Sequence, residues 1–287
     1  MKINKIGDVS FSLQEDHNFS WLEEMGHVFC VFDEQDSGNI SFGVENEEGK
    51  FFIKYAGAKP MDFTGDPDDA VRRLKTAVPV YEQLEHPSLI KLKDHFPIRE
   101  GYAAVFHWAE GECLHSHWSH GGPAKYTDPT SPYYRFRKLD VMKRLKALDT
   151  IFTFHAFVEE RGFVAVDFYD GSILYDFKND VTTICDIDFY RTSPSVNDIG
   201  KAFWGADRSK SPEEYELGSV IDERTNVYTM GAIAFGVLGG ETDHSFSRWE
   251  AGEGLYEVIK KAVSGDREAR YRNVRAFMEA WKAVKEA

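Results

Sequence analysis

Hydrophobic and polar positions alternate along the first third of the chain in a pattern that predicts an antiparallel sheet. Between His27 and Lys54 the runs V-F-C-V-F, I-S-F-G-V and K-F-F-I-K are rich in aromatic and β-branched residues, and turn-forming residues separate them. Runs of this kind are typical of strands joined by hairpins. The same criteria predict two more strands, at Leu89–Leu92 and Tyr102–Phe106.

Spacings of three and four between apolar residues predict helices farther along the chain. One helix begins after Asp66, its N-cap, and Pro79 should kink it or mark its boundary. A second runs from about Leu139 to Glu160, and a third, capped by Asn226, is apolar on all faces, as a buried central helix is. The segment 115–137 lacks periodicity, which predicts a long surface loop.

An acidic hairpin follows the second helix, between Phe163 and Arg191. It reads as a loop, a strand, a turn and a second strand that ends at an acidic pair. The oxygen-bearing side chains that it presents are Asp167, Asp170, Ser172, Asp186 and Asp188. Because magnesium accepts one or two carboxylates together with nucleotide phosphates, phosphoryl transfer is the first functional hypothesis.

Composition and charge narrow the choice of partners. With 287 residues and 42% hydrophobic composition, the chain can bury the core of one large or two modest domains. The formal net charge is -14, which disfavours nucleic acid and anionic membranes as partners because both are polyanions. The start M-K-I-N-K-I-G-D contains no apolar signal region, so we expect a cytoplasmic protein, either a monomer or a weak oligomer.

Five short motifs follow one another along the chain. They are F-F-I-K ending at Lys54, L-E-H-P-S-L-I-K-L starting at Leu84, A-V-D-F-Y-D-G-S starting at Ala165, D-I-D starting at Asp186 and S-P-E starting at Ser211. In this order they resemble the eukaryotic-type Ser/Thr protein kinase family, of which the chain looks like a divergent member from about residue 27 to residue 284.

The resemblance implies an α+β fold with two lobes. Residues 1–108 would form a small antiparallel β-rich N-lobe, and residues 109–287 a larger, mainly helical C-lobe. The implied activity is transfer of the ATP γ-phosphate to a Ser or Thr hydroxyl of a protein, with magnesium, at a site between the lobes. ATP and a protein substrate or binding partner are the implied partners.

Site residues are implied by the same resemblance. Asp167 and Lys54 would be the catalytic residues, and Glu213 and Arg270 would form a structural ion pair. The implied nucleotide-binding residues are Gly38, Ile40, Lys54, Phe106, His107 and Ala109. The implied metal ligands are Asp186, Ser172, Asp170 and Asp188.

Several positions depart from the family pattern. The loop expected to be glycine-rich is D-E-Q-D-S-G-N-I, which keeps Gly38 alone and adds carboxylates that repel phosphate. Ala77 stands where a glutamate should orient Lys54, with Glu82 as a possible substitute, and Val166 replaces the arginine through which a phosphorylated activation loop acts. Further replacements are Tyr169 for a lysine, Ser172 for an asparagine and Asp188 for a glycine.

These departures leave two alternatives to an active protein kinase. One is a catalytically weak or inactive pseudokinase that acts as a binding or scaffold module. The other is a small-molecule kinase of the aminoglycoside type, against which the S-P-E motif and Arg270 argue. The cluster Cys113, His115, His117 and His120 could also bind zinc, but its spacing matches no standard zinc motif and favours packing histidines.

Overall fold

The protein has an α+β fold made of two compact units. A computed structural model describes residues 1–34, 36–99 and 101–286. The N-terminal unit comprises Met1–Glu85 and Ile90–Ala109, and the C-terminal unit comprises His86–Leu89 and Glu110–Ala287. The α+β class agrees with the sequence-based expectation.

The N-terminal unit is built around a five-stranded antiparallel sheet with the strand order β3-β4-β5-β7-β6. Its elements are β1 (Lys2–Ile6), β2 (Val9–Leu13), α1 (Ser20–Met25), β3 (His27–Phe32), β4 (Asn39–Asn46), β5 (Gly49–Ala56), α2 (Pro67–Gln83), β6 (Leu92–Ile98) and β7 (Gly101–His107). Strands β3, β4 and β5 are the three runs that the hydrophobic pattern predicted. The hairpin of β1 and β2 and the short helix α1 were not predicted.

Aromatic side chains form much of the core of this unit. Phe11 of β2 meets Phe42 of β4 edge to face, with ring centroids 5.4 Å apart, and Phe19 meets both Phe42 (5.3 Å) and Tyr55 (5.6 Å). Edge-to-face pairs add roughly 0.5–1.5 kcal/mol to the gain from burying the rings. The β1–β2 hairpin is therefore held on the sheet by aromatic packing.

One strand of the N-terminal unit was predicted with the wrong bounds. The strand expected at Leu89–Leu92 begins only at Leu92 and continues to Ile98, because Leu89 belongs to the C-terminal unit and bridges Ile184 there. Helix α2 continues past Pro79 to Gln83, so this proline marks no boundary. Its predicted N-cap is present, since the Asp66 side chain accepts a hydrogen bond from the backbone N–H of Asp68 (3.0 Å).

The C-terminal unit is mainly helical, with short two- and three-stranded sheets. Its elements are β8 (Glu112–Cys113), α3 (His117–His120), α4 (Ala124–Thr127), α5 (Pro132–Arg137), α6 (Val141–Glu160), β9 (Phe163–Val164), β10 (Ile173–Asp176), β11 (Val181–Ile184), β12 (Arg191–Thr192), β13 (Ser195–Val196), β14 (Val220–Ile221), α7 (Glu223–Leu238), α8 (Glu253–Ala262) and α9 (Val274–Lys285). Helices α6 and α9 meet through Phe152, whose ring centroid lies 4.8 Å from that of Phe277.

Three predictions for this unit need correction. Segment 115–137 contains three short helices and is not one long loop, and Ser131 caps the last of them. Helix α7 is capped by Asp222, whose side chain accepts from the N–H of Arg224 (2.9 Å), whereas Asn226 lies inside the helix. The second strand of the acidic hairpin ends at Ile184, before the acidic pair begins.

A buried ion pair joins the segment before β14 to the segment before α9. The Arg270 guanidinium donates to both carboxylate oxygens of Glu213, at 2.7 Å and 3.0 Å, and its side chain is fully buried. The Thr225 hydroxyl donates to the same carboxylate (2.9 Å). Burial acts to raise the pKa of Glu213, but Arg270 more than offsets it and holds the pKa below its usual value. Because the guanidinium donates to both carboxylate oxygens, each of the two buried charges is paired.

Removing one partner of this pair should cost far more stability than breaking an exposed pair. We expect Arg270→Met to lower the free energy of unfolding by about 3–5 kcal/mol, because the Glu213 charge stays buried without its partner. The control is Glu268→Gln, which breaks an exposed pair with Arg224 (3.1 Å) and should cost less than about 1 kcal/mol. Urea unfolding followed by circular dichroism measures both values, and equal losses would contradict the prediction.

Candidate functional site

The entry to the predicted catalytic loop is anchored by a buried amide side chain. Strand β9 pairs with β12, and the backbone N–H of Ala165 then donates to Oδ1 of Asn226 on α7 (2.8 Å). The Nδ2 group of Asn226 donates to Oε1 of Glu159 at the end of α6 (3.2 Å). Two helices therefore fix the backbone two residues before Asp167.

Glu159 completes this anchor in an unusual protonation state. Its Oε2 accepts a hydrogen bond from the backbone N–H of Val274 (2.8 Å). Burial raises the pKa of Glu159 to about 8, although the hydrogen bonds from Val274 and Asn226 act to lower it. The side chain is therefore largely a neutral carboxylic acid at pH 7, which removes the cost of burying a charge there.

Two of the predicted site residues have left-handed backbone conformations. The φ angle is 64° at Asp167 and 53° at Asp186. Side chains other than glycine rarely adopt this region, and such residues cluster at functional sites. Burial and the nearby charges of Asp186 and Asp167 raise the pKa of Tyr169, and burial and the same two carboxylates raise that of Tyr190. Both carboxylates therefore lie in one electrostatic environment.

A hydrogen-bonded hairpin brings Ser172 next to the acidic pair. The N–H of Cys185, immediately before Asp186, donates to the carbonyl of Ser172 (2.9 Å), and Ile173 is paired with Ile184 across β10 and β11. The Ser172 hydroxyl is fully buried and has no hydrogen-bond partner among the described residues. A buried hydroxyl in this position fits a magnesium ligand, because the ion would satisfy its oxygen.

Asp170, another predicted ligand, is instead paired with two cations. Its Oδ2 lies 2.6 Å from the Lys125 ammonium, and its Oδ1 accepts from Nε of Arg208 (3.2 Å) and from the Nη2 group. Burial acts to raise the pKa of Asp170, but these cations hold it below the usual value. The carboxylate is therefore neutralised by protein groups, and its role as a metal ligand stays a prediction.

No metal-binding cluster was found in the described part of the chain. A search of these residues finds no group of three or more His, Cys, Asp and Glu side chains placed to hold an ion. The predicted ligand set of Asp186, Ser172, Asp170 and Asp188 therefore stays a prediction. Asp186 is exposed and Asp188 half-buried, with the fully buried Ile187 between them.

The ring of Tyr169 lies against the backbone of the predicted catalytic loop at Gly171. A Cβ atom on Gly171 would lie only 2.4 Å from this ring, so the loop needs glycine at 171. The high pKa of the Tyr169 phenol keeps it neutral at pH 7. The aromatic side chain therefore carries no charge at the position where the resemblance called for a lysine.

His155 was not predicted from the sequence. It contacts Phe168, next to Asp167, and Tyr190, two residues after Asp188. Its Nδ1–H donates to the Ile151 carbonyl (2.7 Å), so Nε2 accepts from the Tyr190 hydroxyl (2.8 Å). Its ring centroid lies 4.2 Å from that of Phe168. Burial lowers the pKa of His155 to about 3, which keeps it neutral. A lone histidine in the apolar stripe of α6 was the available signal.

Lys54 is 8% exposed on β5, near the centre of its sheet. On α2, Ala77 is fully buried where the resemblance called for a glutamate. Glu82, the suggested substitute, lies 3.5 Å from Nε2 of His95, and its side chain is 56% exposed. Glu82 therefore has a partner on β6, on an exposed face of the helix.

The remaining predicted nucleotide-binding residues of this unit differ in accessibility. Ile40 and Phe106 are fully buried, and Ile40 belongs to the apolar core of the unit. His107 is exposed, but its backbone N–H donates to the Lys91 carbonyl (2.9 Å). Ala109 is half-exposed. An adenine contact at His107 would therefore have to use its carbonyl group.

Gly38 is required by side-chain packing. Its φ is 83°, and a Cβ at this position would lie 2.7 Å from the Phe63 ring and 2.9 Å from Ala70. In the same loop, the Ser37 carbonyl accepts from the Arg73 guanidinium (2.7 Å). Gln35, also in this loop, lies outside the described residues. The loop is thus tied to α2, and its glycine has a structural reason independent of phosphate.

Two members of the cysteine and histidine cluster, Cys113 and His120, have hydrogen-bond partners in the protein. The Cys113 thiol donates to the Gly171 carbonyl (3.3 Å), and burial raises its pKa to about 12. His120 lies between the hydroxyls of Ser116 (3.2 Å) and Thr130 (3.1 Å). These contacts support the packing interpretation of the cluster.

Comparison with known proteins adds no relative to this description. A scan against models of protein families finds no match, and a search of curated proteins finds no match either. Among the described residues, none of the helices combines the length and apolarity needed to cross a bilayer.

The raised pKa of Glu159 predicts a specific pH dependence of stability. The folded protein keeps a proton up to about pH 8 that the unfolded chain releases near its ordinary value of 4.5. The contribution of Glu159 to the free energy of unfolding is therefore largest below pH 4.5. It falls by about 1 kcal/mol per pH unit as the pH rises to about 8. Glu159→Gln should remove this contribution.

The measurement is urea unfolding from pH 5 to pH 8, with the slope of stability against pH as the readout. Glu160→Gln is the control, because this neighbour is exposed and pairs with Arg275 at the surface. Buried Glu214, whose pKa is raised to about 7, contributes equally in all three proteins. Identical slopes in Glu159→Gln and the unaltered protein would disprove the assignment.

Proposed function

We propose that the protein is a divergent protein-kinase-like phosphotransferase that transfers the ATP γ-phosphate to a Ser or Thr hydroxyl of a protein. The observation that carries the proposal is the arrangement of Asp167, Ser172 and Asp186 in the C-terminal unit. Two of these residues have left-handed backbone conformations, and the third has a buried hydroxyl without a partner among the described residues. Motif order supports the same assignment.

Each residue has a distinct part in the proposed reaction. Asp167 accepts the proton of the substrate hydroxyl, whose oxygen bonds to the γ-phosphorus while ADP leaves with the electron pair of the broken P–O bond. Lys54 binds the α- and β-phosphates. Asp186 and Ser172 are the residues that would hold magnesium, which when bound neutralises charge on the phosphates. Tyr169 brings no charge to the loop.

A second candidate is a kinase-like binding module with weak or no catalysis. Two observations favour it. The loop at Gly38 is packed on α2 by Phe63 and Arg73, and Asp170 is neutralised by Lys125 and Arg208. The first contact ties residues of the loop expected to cover the phosphates to the rest of the unit, and the second pairs a predicted metal ligand with protein cations. The small-molecule kinase alternative is disfavoured, because the Glu213–Arg270 pair that argued against it is formed.

Nucleotide binding and transfer can be separated by substitution. We expect millimolar ATP with magnesium to raise the unfolding temperature of the unaltered protein, since a ligand at 100 times its Kd adds about 2.7 kcal/mol. Lys54→Met and Asp186→Asn should lose this shift. Asp167→Asn should keep the shift and lose phosphate transfer to a mixed peptide library by roughly 100-fold or more.

Matched controls are available on the same elements. Lys50→Met on β5 and Asp176→Asn in the hairpin make the same chemical changes at exposed or half-exposed positions away from the motifs. Both should keep the thermal shift and the transfer. Absence of any shift at millimolar ATP would favour the binding module, and full activity in Asp167→Asn would remove this residue from the mechanism.

A further inference from the structure

Four charged side chains form a buried cluster beside the catalytic loop, which we call the charge quartet: Lys125, Asp170, Arg208 and Glu241. The Lys125 ammonium lies 2.6 Å from Asp170 Oδ2 and 2.9 Å from Glu241 Oε1. Nε of Arg208 lies 3.2 Å from Asp170 Oδ1 and 3.6 Å from Glu241 Oε1. Two positive and two negative charges therefore balance.

The surroundings of the charge quartet shield it from solvent. The exposed fraction of these side chains is 3% for Lys125, 11% for Asp170, 17% for Glu241 and 21% for Arg208. Aromatic rings cover the cations, with Lys125 4.2 Å from the Tyr133 centroid and Arg208 5.2 Å from that of Tyr169. Charges in such surroundings interact more strongly than at the surface and are little screened by salt.

The charge quartet joins four separate segments. Lys125 lies in α4, Asp170 three residues after Asp167, Arg208 in the segment between Asp186 and Glu213, and Glu241 just after α7. Glu241 has a left-handed backbone with φ of 59°, a conformation that persists where surrounding contacts determine it. The Tyr126 hydroxyl adds a hydrogen bond to its carboxylate (2.7 Å).

The segment that carries Arg208 folds on itself and runs along the catalytic loop. The Lys210 ammonium donates to the Phe203 carbonyl (2.8 Å), and the N–H of Ser209 donates to the Ala206 carbonyl (2.8 Å). Gly205, with φ of 129°, comes so close to the loop that a Cβ on it would lie 3.9 Å from Cα of Asp167. A compact turn thus presents Arg208 to Asp170.

We propose that Arg208 is a positioning residue, which holds segment 203–210 on the catalytic loop through Asp170 and so fixes the backbone around Asp167. The charges that order this segment belong to the chain itself, so the ordering does not require phosphorylation. This agrees with Val166 at the position of the arginine that reads a phosphorylated activation loop. The consequence for catalysis rests on the proposed function. The contact through which Arg208 holds segment 203–210 on Asp170, which we call the tether, is a property of the C-terminal unit alone.

Hydrogen exchange of the full chain without nucleotide tests the tether. We expect Arg208→Met to accelerate amide exchange in peptides covering 163–172 and 203–215 by tenfold or more, because both segments lose the contact that closes them. Arg208→Lys should restore part of the protection, since it keeps the charge. Arg135→Met is the control, because Arg135 pairs with Glu112 (2.8 Å) outside both peptides, and both peptides should exchange as before.

A double-mutant cycle tests whether Arg208 acts through Asp170. Asp170→Asn alone should also accelerate exchange in 203–215, and combining it with Arg208→Met should add less than a further twofold. The proposal would be overturned if the accelerations of exchange in the two single variants multiplied in the double variant. Unchanged exchange at 163–172 in Arg208→Met would overturn it as well. If Arg208→Met does not fold, Asp170→Asn and Arg208→Lys decide by the same readout.

Two further measurements separate the tether from phosphorylation and from catalysis. Phosphatase treatment should leave exchange at 203–215 unchanged, and loosening of this peptide would overturn the phosphorylation-independent ordering. Where transfer is detected, Arg208→Lys should lower kcat and leave KM for ATP within twofold, as expected for a residue that positions Asp167; the reverse split would contradict the assignment. If the unaltered protein does not bind ATP and the exchange results are as expected, the proposed function is rejected and the tether is retained.

Discussion

Burial of charge is the constraint on which the C-terminal unit depends. An isolated ion in a protein interior costs several kcal/mol, so a buried charge has to be paired or removed. Glu213 is paired with Arg270, Asp170 is paired with two cations, and Glu159 keeps its proton. Each solution joins segments that are distant in sequence, so these contacts connect the loop that carries Asp170, the segment that carries Arg208 and the ends of α6, α7 and α9.

Sequence patterns predicted the elements whose burial repeats regularly and missed those whose burial does not. Strands β3 to β5 alternate aromatic and β-branched residues with turns, and they were found. The β1–β2 hairpin was missed because its first strand is mostly exposed, with Ile6 as the buried residue of β1. Helices α3 to α5 have four to six residues each, too few to show a period. The cap of α7 was misplaced because Asp222 precedes a polar first turn, so the apolar pattern begins only near Asn226.

For the candidate site, the motifs identified residues but not their environments. Asp167, Ser172 and Asp186 were chosen by order along the chain, and the structure places them in one unit. The left-handed backbone at the two aspartates leaves no trace in a sequence. The pairing of Asp170 with Lys125 and Arg208 was not predicted, because no local pattern shows a pairing between residues about 40 positions apart. Identity at a motif position therefore indicates a role only when the neighbours are known.

The contact between Tyr169 and Gly171 has a consequence for redesign. The ring occupies the space that a side chain at 171 would fill, so the two positions form one packing unit. Replacing Tyr169 with lysine would exchange a rigid aromatic ring for a flexible aliphatic chain and leave unfilled space next to Gly171. A designer who wants a positive charge at 169 would have to rebuild both positions together. The residue at 171 would then have to be chosen for shape before the residue at 169 is chosen for chemistry.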